Sequence, residues 1–430
     1  MQLQSVRKPT ESDEAPHGEA EVGVDEAQEG LSRDQPLPGP KSTQYARVQA
    51  SEHEGTPLKL DDVNCSALFI GNATEIRRWG DFHRPIETDE EVADLFENCA
   101  ALKRNWNLWS TTEEEASFPI AFTVMAHKDA AQVAYLLRLI YRPQNLYCIH
   151  LDKKAPNSTR TALQNLAFCF SQNVFLSSKS EHVYWGGFPL LRAALNCAED
   201  LLARSNLSWR YLINLSGQDV PLQTNAQIVR YLKETLDGQR NEVEMKREPH
   251  FSRYFVPYQH LLDPRSGVAV THRPDYGRSK LPVPFGLRIV KGNFAAALTR
   301  SFVRFLFEDR VAVGFTNWLN DTDVPDEHLW PTLNWNRAVV SAPGAPRESL
   351  PLEDESVLPY RIRYVKWKPE EKEGPELACH GKWLHDVCVF GVGDLKGLVE
   401  RRELFVNKVH LDYQSAVGYC LARRLFAGPM

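Results

Sequence analysis

The run Val324-Pro325-Asp326-Glu327-His328-Leu329-Trp330 places two adjacent carboxylates and an imidazole after a proline. A carboxylate aimed into a cleft can take a proton from an attacking hydroxyl, such as that of a sugar, and Glu327 is the candidate for such a base. The same residues also read as a helix start. Pro325 suits a first helical position, Asp323 is a candidate N-cap, and acids at 326 and 327 suit the positive end of the helix dipole. Just upstream, Asp321-Thr322-Asp323 has the spacing with which two carboxylates hold a divalent ion against a diphosphate. Such pairs normally close a buried strand, and residues 316–320 do not read as one, so the expectation is that no metal binds here. A diphosphate without a metal needs cationic side chains. The candidates are Lys382, His385, Arg401, Arg402 and Lys408, of which Arg401 and Arg402 fit an exposed helix face better than Lys408 does. The chain has no glycine-rich P-loop and no dinucleotide fingerprint, and Cys379-His380 stands alone without zinc spacing.

The cysteines bear on the compartment. There are eight, at 65, 99, 148, 169, 197, 379, 388 and 420, and an even count permits full pairing while leaving the connectivity open. Acceptor tripeptides for N-glycans begin at Asn64, Asn72, Asn157, Asn206 and Asn320. A further one at Asn214 lies in an apolar run and reads as buried and unused. Residues 1–60 contain no apolar run long enough for a signal peptide or an anchor. They are rich in Glu, Asp, Pro and Gly and are expected to be disordered. Disulfides and a lumenal address then require a different start or an anchor lost from this sequence; the alternative is a cytosolic chain with reduced thiols. A net charge of -6 disfavours nucleic acid as the partner. Ten tryptophans and fourteen tyrosines could stack on sugar rings, although core packing accounts for most of them.

The elements that must position these groups begin at Phe118. Apolar runs over 119–126, 145–152, 174–176 and 210–215 read as buried strands. Between them, helical spacing appears over 133–140, 158–169 and 191–202. This alternation predicts an α/β fold with a largely parallel sheet, whose ligands bind beyond the carboxyl ends of the strands. His127, Asp152 and the loop Ser216–Asp219 fall at those ends, where Asp152 and Asp219 could equally cap turns. Further predictions are a stem or cap over 61–117, long loops over 238–290, a helix over 298–307, a loop over 341–359, a strand over 361–367, and a helix over 394–402. The catalytic domain is expected to span 118–430.

These residues resemble the core 2 / I-branching β-1,6-N-acetylglucosaminyltransferases, with peptide xylosyltransferases as more distant relatives. The matching stretches are 118–122, 143–150, 194–197, 211–215, 325–330, 365–367 and 387–395. The resemblance covers Cys65 to Cys420 and implies a GT-A-like fold, type II Golgi membrane topology, and metal-independent, inverting transfer from UDP-GlcNAc. The implied acceptor is the 6-hydroxyl of GalNAc or galactose on an O-glycan or poly-N-acetyllactosamine; a homo-oligomer is permitted. Glu327 falls on the family's base, Met125, His127 and Asp152 on its uridine and ribose pocket, and Lys408 on one of two diphosphate cations. The other, an arginine, is His385 here, and a neutral imidazole does not replace a guanidinium; Lys382 is the candidate to compensate. Glu244, Lys246 and Trp367 are implied acceptor contacts, while an aromatic contact of the family is Pro369 here. The implied disulfides are Cys65–Cys420, Cys99–Cys169, Cys148–Cys197 and Cys379–Cys388, with Ser216 in place of a free thiol. Asn64 and Asn72 are the glycosylation sites expected to be used. The alternatives are another transfer specificity, such as xylosyl, or a catalytically impaired carbohydrate-binding homologue.

Overall fold

The computed structural model describes residues 58–106, 110–204, 208–245, 259–262, 269–271, 280–346, 360–368 and 378–427. Its strands are β1 Ile120–Ala126, β2 Leu146–Leu151, β3 Val174–Leu176, β4 Tyr211–Ser216, β5 Val220–Pro221, β6 His260–Leu262, β7 Ala269–Thr271, β8 Ala297–Thr299, β9 Arg363–Val365, β10 Lys382–Leu384, β11 Val387–Val389 and β12 Phe405–Asn407. The main sheet has the order β3-β2-β1-β4-β8, parallel except for β8. Alternate residues of the central strands enter different cores. Phe122, Val124, Tyr147 and Ile149 pack with helices Ala130–Ile140 and Asn157–Cys169. Ala121, Leu146 and Cys148 pack against helix Phe188–Ala203 on the other face. Burial on both faces explains the unbroken apolar runs.

Register aligns the strand ends. Met125 lies opposite His150 on one side and Ser216 on the other, so three loops leave the sheet at one edge. A smaller sheet, β5-β12-β9, sits beyond that edge, with Phe405 opposite Arg363 and Asn407 opposite Val365. The hairpin β10–β11 turns at His385 and Asp386, both with positive φ (50° and 58°).

The predicted helix over 298–307 is corrected. Residues 297–299 form β8 against β4, and the helix is Arg300–Glu308. Thr299 divides them because its hydroxyl accepts the Phe302 N–H at 3.2 Å. The predicted strand over 361–367 shortens to β9, and the helix over 394–402 becomes a 3-10 turn at Val392–Asp394 followed by helix Leu395–Val399. Residues 341–346 are irregular, as expected, and 347–359 lie outside the described residues.

Ahead of β1, helices Asp89–Glu97 and Cys99–Trp106 contribute Val92, Phe96, Leu102 and Trp106 to the core of β1 and β2. All four disulfides implied by the resemblance are formed. Cys65–Cys420 closes 355 residues and ties helix Cys65–Phe69 to the C-terminal helix Ala416–Ala427. Replacing Cys65 and Cys420 together by serine is expected to lower unfolding free energy by about 6 kcal/mol, the value of so long a closed loop in the chain-entropy view. Urea denaturation of the variant checks this, and an unchanged midpoint refutes it.

Candidate active site

The strand ends supply one wall. The Met125 carbonyl accepts the Gly217 N–H at 2.9 Å, which fixes the loop after β4. Desolvation and the Lys128 ammonium hold the His127 imidazole below its ordinary range, against Asp129 and Asp152. Asp152 is buried, its N–H donates to the Ala126 carbonyl at 2.9 Å, and its Oδ1 accepts the Lys154 N–H at 2.8 Å. Asp152 therefore shapes its own turn while standing at the predicted ligand edge.

A loop over 181–187 leads from this wall to the turn holding Glu327. The Lys153 N–H donates to the Glu181 carbonyl at 2.9 Å, and the Glu181 N–H to His150 Nε2 at 2.9 Å. At the far end, the Val324 N–H donates to the Gly186 carbonyl at 2.9 Å. Gly186 has φ of 73°, and a Cβ there would stand 3.1 Å from Asp323 Oδ1, so close approach and backbone both favour glycine.

The turn itself departs from the helix start predicted for it. Val324 adopts a left-handed conformation (φ 41°, ψ 55°), Pro325–Glu327 is a 3-10 turn, and the helix is Leu329–Trp335. Asp323 does not cap it; its Oδ1 lies 3.6 Å from His260 Nδ1. The left-handed residue leads into the 3-10 turn, and His328 lies between that turn and the α-helix. Instead, the turn is fixed by a neighbouring segment. The Gly292 N–H donates to the Glu327 carbonyl at 2.8 Å, and the Val290 N–H to Thr332 Oγ1 at 3.0 Å. From that segment the Lys291 ammonium pairs with Glu327 Oε2. Both side chains stay partly open, at 22% and 27% exposure.

Behind Glu327 the turn is closed. Asp326 is buried and its Oδ1 has no hydrogen-bond partner among the described residues. Burial pushes its carboxyl up to about 6, against Lys291 and Arg363. His328 is buried too, and desolvation pushes its ring down to about 4. Both oxygens of Asp321 face protein donors, the Lys280 ammonium and Gln259 Nε2, the latter at 3.0 Å.

Cations form the opposite wall. Lys408 follows β12, and desolvation, with Arg363 nearby, lowers its ammonium below the ordinary lysine range. Among the described residues no carboxylate pairs with it. Arg363 on β9 donates to Asn293 Oδ1 at 2.7 Å and lies 3.6 Å from Asp219 Oδ2. The fully buried Asp219 accepts the Ser216 N–H at 2.7 Å and Asn407 Nδ2 at 2.8 Å, so it joins the loop after β4 to β12. Lys382 stands over the Tyr413 ring at 4.4 Å; together with Lys128 and Lys408 it opposes protonation of His410. His385 is exposed at the hairpin tip. Trp367, 59% exposed, bridges to Val387 beside the same tip, where the Lys368 N–H donates to the Asp386 carbonyl at 2.8 Å.

Of the other expected contacts, Glu244 lies against the segment of Lys291: a Cβ on Gly292 would stand 1.9 Å from the Glu244 carbonyl. Lys246 and Pro369 fall outside the described residues. Asn64 and Asn72 are exposed, and each caps a helix, accepting N–H groups of Ala67 and of Thr74 and Glu75. Asn214 is buried and accepts from Thr123 Oγ1 at 3.0 Å, as its apolar setting predicts. Sequence reading overlooked Lys291 and Arg363, and gave Asp326 only a place at a helix start. Nothing local marks Arg363, which reaches the site only through the pairing of β9 with β12.

A mixed sheet flanked by helices, with a carboxylate and cationic side chains around its carboxyl edge, has the arrangement of a GT-A-like glycosyltransferase domain. The Core-2/I-Branching enzyme family matches residues 120–399, and this chain belongs to that family. It is 39% identical over 314 residues to a human N-acetyllactosaminide beta-1,6-N-acetylglucosaminyl-transferase, covering 73% of each chain. A beta-1,3-galactosyl-O-glycosyl-glycoprotein beta-1,6-N-acetylglucosaminyltransferase 4 of Danio rerio is 34% identical, covering 86% of this chain and 85% of that one. A human protein named as a probable beta-1,3-galactosyl-O-glycosyl-glycoprotein beta-1,6-N-acetylglucosaminyltransferase 7 is 34% identical over 90% of this chain and 86% of its own.

The Asp326 carboxyl gives a pH prediction. Its folded value lies above the unfolded one, so folding favours its neutral form, and that stability is lost as pH rises from about 4 through about 6. Asp326→Asn is expected to raise unfolding free energy by about 3 kcal/mol at neutral pH and by nothing below about pH 4. Denaturation series at both ends check it; a gain independent of pH contradicts the assignment.

Proposed function

We propose that this chain transfers N-acetylglucosamine from UDP-GlcNAc to the 6-hydroxyl of a GalNAc or galactose acceptor on an O-glycan or poly-N-acetyllactosamine. Glu327 is the general base and no metal takes part. The observation behind this reading is the placement of Glu327, which is held half-open by Gly292 and Lys291 and tied through the 181–187 loop to the strand end at Asp152. The relatives, all named as β-1,6-N-acetylglucosaminyltransferases, support the reaction class.

In this reading the uridine and ribose lie against Met125, His127 and Asp152. The diphosphate faces Lys408, Arg363 and Lys382, with His385 at the hairpin tip. A desolvated ammonium such as that of Lys408 favours an anion whose charge grows as the bond breaks. Glu327 takes the proton of the 6-hydroxyl as that oxygen attacks the anomeric carbon. The bond to UDP breaks with its electron pair on the phosphate, and a single displacement turns the α-linked donor into a β-linked product. Glu244, Trp367 and Lys246 receive the acceptor. The engagement of Asp321 by Lys280 and Gln259 supports a metal-free reaction, because those oxygens already have partners. Four disulfides and exposed acceptor asparagines support a lumenal Golgi address. No helix among the described residues is long and apolar enough to cross a membrane.

Glu327→Gln is expected to cut turnover by about 10²–10⁴-fold, the usual worth of a positioned base, while UDP affinity by calorimetry stays level. Near-normal turnover would falsify the base assignment. Activity is also expected to survive EDTA, and Asp321→Asn with Asp323→Asn to leave donor affinity intact. Loss on chelation with recovery in manganese contradicts the metal-free reading.

A further inference from the structure

We propose that Lys291 is a positioning residue for the base: it holds Glu327 Oε2, keeps the carboxylate charged, and leaves Oε1 for the acceptor hydroxyl. This rests on the reading of Glu327 as the base. The pair does not join two independent loops. Residues 290–292 run beside 327–332, joined by the Gly292–Glu327 and Val290–Thr332 hydrogen bonds, and Thr332 Oγ1 returns a hydrogen bond to the Val290 carbonyl at 3.2 Å. The ammonium and the carboxylate therefore start from backbones already tied together, and little further ordering is needed to bring them into contact. Gly292 also packs on the Glu244 carbonyl, so the segment that carries Lys291 lies against both the turn of the base and a residue expected on the acceptor side.

The chemistry follows from the two oxygens. An ammonium donating to Oε2 stabilises the anion and leaves the second oxygen as acceptor for an incoming O–H. A base charged over a wider pH range is also an intrinsically weaker one, so Lys291 exchanges proton affinity for readiness. At 22% and 27% exposure the pair is neither fully screened nor fully desolvated, a setting in which a neighbouring cation still shifts a carboxylate. Other charged groups surround it. Asp326 and Asp323 share its turn, His328 follows it, Arg363 faces it from β9, Lys280 lies behind His328, and Glu244 flanks Gly292. Asp326, at about 6, is the neighbour whose titration could imitate that of Glu327.

The test is carboxyl-carbon NMR of the folded chain with isotopically labelled glutamate, the Glu327 signal being identified by its loss in Glu327→Gln. The Glu327 midpoint in Lys291→Met is expected about one pH unit or more above wild type, with Lys291→Arg close to wild type. Lys291→Gln provides a second neutral variant, and Asp326→Asn is expected to leave the upward displacement in place. Initial rates with UDP-GlcNAc and an N-acetyllactosamine oligosaccharide should show the acid limb moving by the same amount. Coincident midpoints in wild type and both neutral variants overturn the proposal, as does a displacement that vanishes in Asp326→Asn. Full turnover in Glu327→Gln, with the midpoint still displaced by Lys291→Met, would remove the base reading and leave the pairing intact.

Discussion

The aim of Glu327 depends on hydrogen bonds from outside its own turn. A left-handed valine and one 3-10 turn do not fix a side chain by themselves. Three backbone N–H groups do: Val324 to Gly186, Gly292 to Glu327, and Val290 to Thr332. One contact comes from the loop beyond β3, and the other two come from the segment before β8. The Glu327 carboxylate is thereby referred to the parallel sheet on one side and to its antiparallel edge on the other. Buried Leu329, Trp330 and Leu333 then anchor the following helix, with Trp330 Nε1 donating to the Phe294 carbonyl at 3.2 Å.

The opposite wall obeys a second constraint, the cost of desolvating positive charge. Arg363 sits close enough to Lys408 to oppose its charge, and Arg363 itself has an anion nearby, the buried Asp219. Asp219 is itself held charged with difficulty, since burial raises its carboxyl and Arg363 opposes that rise. Such a cluster is stabilised by an arriving anion. The same arrangement explains why the Ser216–Asp219 loop, β9 and β12 must fold together: Asp219 contacts all three.

The parallel strands were legible because burial on both faces leaves continuous apolar runs, such as Ile120–Ala126 and Leu146–Leu151. Asp152 and the Ser216 loop were legible as strand-end positions for the same reason. Local patterning failed at residues whose conformation is decided by contacts distant in sequence. Val324 is β-branched and left-handed, so no propensity argument predicts the conformation from which the turn of Glu327 starts. Thr299 reads as helix interior until β4 pairs with the residues before it. Arg363 enters through strand register and Lys291 through two backbone hydrogen bonds, neither of which leaves a motif. The four disulfides followed from family resemblance, since eight cysteines alone leave their pairing open.

The central claim is that one carboxylate and a set of metal-free cations face each other across the sheet edge. A crystal structure of the Glu327→Gln variant with UDP-GlcNAc, grown with manganese present, tests it most directly. The account predicts the diphosphate against Lys408 and Arg363, the anomeric carbon facing residue 327, and no ion between phosphate and protein. A manganese ion bridging the diphosphate to Asp321 and Asp323, or a donor sugar turned away from residue 327, would contradict it.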